Sequence, residues 1–258
     1  MRQFGLIGYP LGHSFSKQYF TEKFHKEALS DCSFEAYPLH SIDEFPALLK
    51  AVPSLQGLSV TIPYKEQVLR YVTDLSDEVK QIGATNSIKI QGDRLTAYNT
   101  DSIGFGRSFT PFLKPHHQKA LVLGTGGAAK AVQYVLRKLG IEFLLVSRNA
   151  PQHILSSNQF IHDSHSLSII GYDQLDEALL NEHTVIINCS PAGMSPNEDT
   201  CPDIPYHLLT PQHYLYDLVY QPAKTLFLQK GEGRGAAIKN GYDMLLLQAE
   251  ESWRIWNS

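Results

Sequence analysis

Lys65, Asp101, Asn86 and a glycine turn at Gly124–Gly127 are the residues whose types and spacing can do chemistry. Lys65 follows the apolar run Gly57–Pro63, which reads as a strand, so Thr61 and Lys65 stand at a strand's carboxyl end, where ligands bind in open α/β sheets. Segment 64–72 reads as a helix, which puts Lys65 in a first turn that disfavours a cation. Such a placement suits an ammonium kept as a proton donor better than a solvated surface lysine, although both readings stand. Runs 87–91 and 94–99 read as a hairpin, with Asn86 and Asp101 at its mouth, within reach of one polar ligand. Each alone is equally a turn residue bonding its own backbone. Ser14 and Ser16 stand just before an expected helix, where a hydroxyl either caps the helix or binds a small carboxylate at its positive end.

The glycine turn has a second chemistry. Ala120–Leu123 reads as a short buried strand, and apolar periodicity resumes through Ala128, Ala131, Val132, Val135, Leu136 and Leu139, the spacing of one helix face. A phosphate diester needs outward N–H groups and no blocking Cβ, and a glycine turn opening a helix supplies both. Gly124 allows the tight turn, Gly126 the close approach, and Ala129 the helix-to-strand packing. A turn with no ligand is the alternative. The next strand, 142–147, ends in Ser147, Arg148 and Asn149, with no carboxylate at its tip to accept from a ribose 2′-hydroxyl. A guanidinium pairs bidentately with phosphate oxygens, so the tip points to NADP(H) rather than NAD(H).

These residues must be positioned by elements that alternate between strand and helix from the start, the pattern of an α/β fold with a largely parallel sheet. Strands are expected near 3–8, 33–39, 184–189, 213–219 and 236–239. Helices are expected at 43–51 and 102–113, after Ser16 with Phe15, Tyr19, Phe20, Phe24 and Leu29 inward, and from Gly241 to the end. The polar segment 150–168 reads as loop with an ill-defined helix. Cys189 has no adjacent His or acid, which argues against a nucleophilic thiol.

With 258 residues, one large or two modest domains can form, and a net charge of −4 gives no reason to invoke nucleic acid or a membrane surface. No signal peptide and no run of membrane-spanning length is expected. The three cysteines, Cys32, Cys189 and Cys201, lack metal-ligand spacing and read as reduced thiols in a cytoplasmic protein without a bound metal.

Nine blocks in order, HSFS (13–16), VTIPYK (60–65), GATN (83–86), NTD (99–101), GTGGA (124–128), SRN (147–149), NCSPAGM (188–194), DLVYQP (217–222) and GYDMLLLQ (241–248), resemble the shikimate dehydrogenase family. The resemblance covers nearly the whole chain. It implies an α/β fold of two domains with the active site in the cleft between them: a mixed-sheet catalytic domain, 1–101 plus 241–258, and a Rossmann-type NADP-binding domain, 102–240. It implies catalytic roles for Lys65 and Asp101, and substrate binding by Ser14, Ser16, Thr61, Asn86, Tyr220 and Gln248. Cofactor positions fall on Gly124, Gly126, Gly127, Ala128, Ser147, Arg148, Asn149 and Gly241. The implied reaction is NADP-dependent oxidation of shikimate to 3-dehydroshikimate, a step of chorismate and aromatic amino acid biosynthesis, by a monomer or homodimer. Quinate or dual quinate/shikimate dehydrogenation is the near alternative, and a non-catalytic ligand sensor the distant one. Lys17, Ser59, Ser87, Ser147 and Asn149 depart from the family's usual residues, and Lys17 adds a cation beside the expected carboxylate site.

Overall fold

The structure, a computed structural model, describes residues 1–12, 15–150 and 169–258. Its first elements are β1 (Arg2–Gly8), α1 (Phe15–Lys26), β2 (Cys32–Pro38), α2 (Phe45–Ala51), β3 (Leu55–Val60), β4 (Asp74–Leu75), α3 (Asp77–Ile82), β5 (Ser87–Gln91), β6 (Arg94–Tyr98) and α4 (Thr100–Phe109). Then follow β7 (Lys119–Leu123), α5 (Gly127–Lys138), β8 (Glu142–Val146), β9 (Ile169–Ile170), α6 (Glu177–Glu182), β10 (Val185–Asn188), β11 (Tyr214–Asp217), α7 (Leu226–Glu232), β12 (Ala237–Lys239) and α8 (Tyr242–Trp256). The α/β chain forms two compact units, Met1–Gly104 with Leu246–Ser258, and Phe105–Leu245, and it crosses from one to the other inside α4 and inside α8.

In the first unit the strand order is β2-β1-β3-β5-β6-β4. β1 runs parallel to β2 and β3, whereas β5 is antiparallel to both β3 and β6. Connection length explains the mixture. A parallel pair needs a crossover, here α1, while β5 and β6 are joined by the tight turn at Gly92, φ +61°. Alternation sends Ile7, Leu58, Val60 and Ile88 to one face, where they pack with Ile42, Phe45, Tyr64 and Val68. Phe4 and Leu6 go to the other face, against Phe20 and Phe24 of α1 and Trp256 of α8. Trp256 lies over Gly57, where a Cβ would stand 2.4 Å from the indole, so β3 can carry no side chain at that point.

Among the described residues the second unit has six strands, all parallel, in the order β12-β11-β10-β7-β8-β9. Read from β9, the first three strands in chain order run in reverse and the last three follow, the doubly wound order of dinucleotide-binding folds, with the switch point between β7 and β10. β7, β10 and β11 are buried nearly throughout, as strands covered on both faces must be.

Several elements differ from the expectation. Segment 64–72 is not an α-helix but a turn followed by a short 3-10 stretch, Gln67–Tyr71. The carbonyl of Lys65 accepts from Thr85 N–H at 2.8 Å, which takes it out of any helical ladder, and Tyr64 is held in the core by its hydroxyl on Leu39 O at 2.6 Å. α4 begins at Thr100, two residues early, and α1 begins at Phe15 and ends before Leu29. Leu139 lies past the end of α5 and is 40% exposed. The sequence reading has no helix at α3, α6 or α7, although Ser76, Asp176 and Thr225 cap them through their side chains. Of the segment 150–168, expected as loop with an ill-defined helix, residues 151–168 lie outside the described residues. No described helix is long and apolar enough to cross a membrane.

Three buried histidines sit before or near the amino ends of the second unit's central strands, away from their carboxyl edge. His117 accepts Lys114 N–H on Nδ1 at 3.0 Å and donates from Nε2 to Gln212 O at 3.1 Å. His213 accepts Thr210 N–H and donates to Leu180 O, both at 3.0 Å, and His183 donates from Nδ1 to Leu179 O at 2.9 Å. Burial lowers the pKa of all three below the ordinary 6.5. They are therefore neutral in the fold, and the unfolded chain binds the extra protons, so stability is full above about pH 6.5 and is lost as pH falls toward the lowered values. Asp217, pushed up by burial to about 6 from 3.8, acts in the opposite sense: between those values, acidification favours the fold. The described histidines of the first unit, His25 and His40, are exposed. Acidification from pH 7.5 to 5.5 is thus expected to weaken the second unit first. Both tryptophans lie in the first unit, so in urea titrations the circular dichroism midpoint should fall while the tryptophan fluorescence midpoint holds. Equal movement of the two midpoints would contradict this.

Candidate active site

The carboxyl edge of the first sheet gathers the polar residues that its strands deliver. β3 ends at Val60, whose N–H bonds Asn86 O at 2.8 Å, so Thr61 and the entry to β5 lie side by side. Asp101, in the first turn of α4, is only 6% exposed. Its Oδ2 takes the Lys65 ammonium at 2.5 Å and its Oδ1 takes Asn86 Nδ2 at 2.8 Å. Asn86 Oδ1 accepts Thr100 N–H at 2.7 Å, which fixes the amide's orientation. Its Nδ2 also lies 2.9 Å from Thr100 Oγ1 and 3.3 Å from Gln248 Oε1. Thr100 Oγ1 in turn meets Ser252 Oγ of α8 at 3.0 Å. The result is a carboxylate that orients an ammonium, with one amide from the residue just before β5 and another from α8 beside it. An ammonium has three donors and Asp101 engages one, so the pair can pass a proton to a polar atom held next to it.

Sequence reasoning placed Lys65 correctly at a strand's carboxyl end but wrongly in the first turn of a helix, since the structure has a turn there. The unfavourable helix end invoked for it is absent, and Asp101 is what sets its position. Ser16 is the second residue of α1, inside the first turn rather than before it, and Ser14 lies outside the described residues. Lys17 is engaged by Glu35 at 2.7 Å. Thr100 and Ser252, both fully buried, complete the network but were missed. The signal for Thr100 was its place between Asn99 and Asp101.

In the second unit β7 stops at Leu123 and Gly124 turns the chain at φ +115°, a conformation that disfavours any side chain. α5 starts at Gly127, with Gly126 as a cap residue that offers no side chain and no acid in the first turn, so no side chain caps the helix's leading N–H groups. A Cβ on Gly126 would meet nothing within 4 Å, which leaves open space before that helix end. Ala128 is half-buried and Ala129 fully buried against the sheet. These features fit a pyrophosphate. Ser147 and Arg148 line a cavity of about 750 Å³ together with Gly171, Tyr172, Asp173 and Asp203. The tip of β8 is free of carboxylates, as its sequence indicated, yet the fold brings two from elsewhere to the same cavity. Asn149 donates its N–H to Ser147 Oγ at 3.2 Å.

The loop after β10 is held by Asp217, which accepts from Asn188 Nδ2 at 2.9 Å, Val219 N–H at 3.0 Å and Thr225 Oγ1 at 2.5 Å. Burial pushes the Cys189 thiol up, so it stays protonated and unreactive. Gly241 is buried where a Cβ would stand 2.2 Å from Leu218 O, and Tyr220 is half-buried with its phenol pushed up by burial. Gln248, unlike these, belongs to the first unit. Among the described residues no group of three His, Cys, Asp or Glu stands ready to hold a metal.

A part-buried lysine–aspartate pair in a mixed α/β unit, joined in one chain to a doubly wound unit with an open glycine turn, defines a two-domain dehydrogenase of the Rossmann class. The family described as the shikimate dehydrogenase substrate binding domain matches residues 6–88. Over 98% of its length the chain is 35% identical to the shikimate dehydrogenase (NADP(+)) of Carboxydothermus hydrogenoformans, covering 90% of that protein. It is 32% identical to the enzyme of that name from Caldicellulosiruptor saccharolyticus, over 99% of this chain and 92% of the other. The crystal structure of shikimate 5-dehydrogenase from Thermus thermophilus, in complex with NADP(H) and shikimate, superposes with a TM-score of 0.83 at 28% identity, covering 99% of this chain and 93% of that one. The chain belongs to the shikimate dehydrogenase family.

Thr100→Val keeps the shape but strips the hydroxyl from Asn86 and Ser252. In urea denaturation the variant should lose about 1–3 kcal/mol, because buried groups are left unpaired. A loss below about 0.5 kcal/mol would show that Thr100 is not a structural member of the network.

Proposed function

We propose that this protein catalyses the reversible NADP-dependent oxidation of shikimate to 3-dehydroshikimate, in the biosynthesis of chorismate and the aromatic amino acids. The observation that carries the reading is the part-buried contact of Lys65 Nζ with Asp101 Oδ2 at 2.5 Å, with Asn86 on the other carboxylate oxygen. A secondary alcohol loses a hydride from carbon and a proton from oxygen. The nicotinamide cofactor, when bound, accepts the hydride. Lys65 exchanges the proton with the substrate oxygen, and Asp101 orients the ammonium and balances its charge. Asn86, Thr61 and Gln248 hold the ring hydroxyls, Ser14 and Ser16 the carboxylate, and Tyr220 contributes to substrate binding. This fixes the reacting oxygen beside Lys65. Held this way, the substrate needs no further acid or base.

The cofactor is held by Gly124, Gly126, Gly127 and Ala128 at the open end of α5, by Gly241, and by Ser147, Arg148 and Asn149 at the tip of β8. Arg148 favours the 2′-phosphate, and Asp173 and Asp203 on the same cavity moderate that preference. In domain terms, 1–101 with 241–258 carries the substrate and 102–240 the cofactor. The free thiols Cys32, Cys189 and Cys201 suit the cytoplasm.

Steady-state assays that cross shikimate and quinate with NADP and NAD test the reading. Turnover should be highest with shikimate and NADP, and no turnover with either acid would refute it. Lys65→Ala should lower kcat by roughly 10²–10⁴, while NADP affinity from fluorescence titration stays near native. Arg148→Ala should weaken NADP binding by about tenfold or more and leave NAD binding nearly unchanged. An equal loss for both nucleotides would remove Arg148 from the 2′-phosphate.

A further inference from the structure

Ser16, Tyr19 and Lys23 follow each other at three and four residues along α1 and so share one stripe of the helix. That stripe meets Glu250 of α8. The hydroxyl of Tyr19 donates to Glu250 Oε1, and Lys23 Nζ lies 3.0 Å from each oxygen of the same carboxylate. The ring of Tyr19 also stacks on Phe15, centroids 5.5 Å apart, and Phe15 is the residue between Ser14 and Ser16. One uninterrupted path therefore runs from Glu250 through Tyr19 to the start of α1.

α8 is held on its other side as well. Gln248 and Ser252, four residues apart, face Asn86 and Thr100, whereas Glu250 and Trp253 face α1. The helix therefore has contacts on two sides, and its rotation about its own axis is set by both. An exposed ion pair contributes little to stability. The Lys23 side chain is only 10% exposed and ties together Glu250 and Glu27, whose side chains stay 49% and 45% exposed, so what the contact supplies is direction rather than stability. Although burial alone would raise it, the Glu250 carboxyl is held below its ordinary range by Tyr19 and Lys23.

We infer that Glu250 is a positioning residue for the substrate's carboxylate: through Tyr19 and Phe15 it sets the first turn of α1, and with it Ser16, against the helix that carries Gln248. The inference rests on the proposed reaction and adds a specificity element outside the residues that touch the substrate.

Glu250→Ala should raise KM for shikimate about tenfold while kcat and NADP affinity stay within about twofold of native. The methyl ester of shikimate has no anion for the serines to hold, so its KM, or its inhibition constant if it is not turned over, should be unchanged. Tyr19→Phe keeps the ring packing and should shift shikimate KM in the same direction. Glu250→Gln, whose amide oxygen still accepts from Tyr19, should restore KM to within about threefold. The inference is overturned if shikimate KM is unaltered in Glu250→Ala and Tyr19→Phe. It is equally overturned if acid and ester weaken together, or if kcat, KM and melting temperature decline in parallel. A native protein that does not oxidise shikimate refutes the proposed reaction instead.

Discussion

A carboxylate taken out of water must find cations or N–H groups, or it gives up its charge. Asp101 meets this requirement with Lys65, Asn86 and the leading end of α4, where the helix dipole also favours a negative charge. Much of the first unit is arranged to supply those partners. β3 must end at Val60 so that Lys65 reaches the edge, β5 must run antiparallel so that Asn86 arrives there, and α8 must return from the far end of the chain to bring Gln248 and Ser252. The pair itself adds little to stability, since desolvation offsets most of its attraction. Its value is a lysine whose direction is fixed.

The second unit solves a complementary problem, the accommodation of negative charge without a basic patch. Parallel strands, buried on both faces, force their connections to the sheet's two edges, and the glycine turn exposes uncapped N–H groups at the carboxyl edge. The opposite edge is stitched by neutral imidazoles with fixed tautomers. Open backbone donors and neutral imidazoles thereby occupy opposite ends of one sheet.

Aromatic packing sets the precision of the first unit. Phe4, Phe20, Phe24, Trp253 and Trp256 form one connected layer between the sheet and the helices α1 and α8. Rings that interlock at centroid distances of about 5 to 6 Å leave little freedom for either helix to slide. The hydrogen bonds of Glu250 and Gln248 then need only to choose a rotation, which is a smaller task than holding the helices in place.

Sequence periodicity by itself determined the α/β alternation, the glycine turn before α5 and the edge position of Lys65, Asn86 and Asp101. Those properties are set by neighbours within a few residues: an apolar period, a glycine, a strand end. It misread segment 64–72 because the competing hydrogen bond to the Lys65 carbonyl comes from Thr85, and local propensity has no knowledge of it. It saw no acid near Arg148 because Asp173 and Asp203 arrive from other loops. Only the tertiary structure could decide that Lys65 pairs with Asp101, 36 positions away, and that Asn86 meets Gln248, 162 positions away. Such pairings depend on sheet order and helix return, and a one-dimensional pattern encodes neither directly, since each is chosen by how buried surfaces fit together.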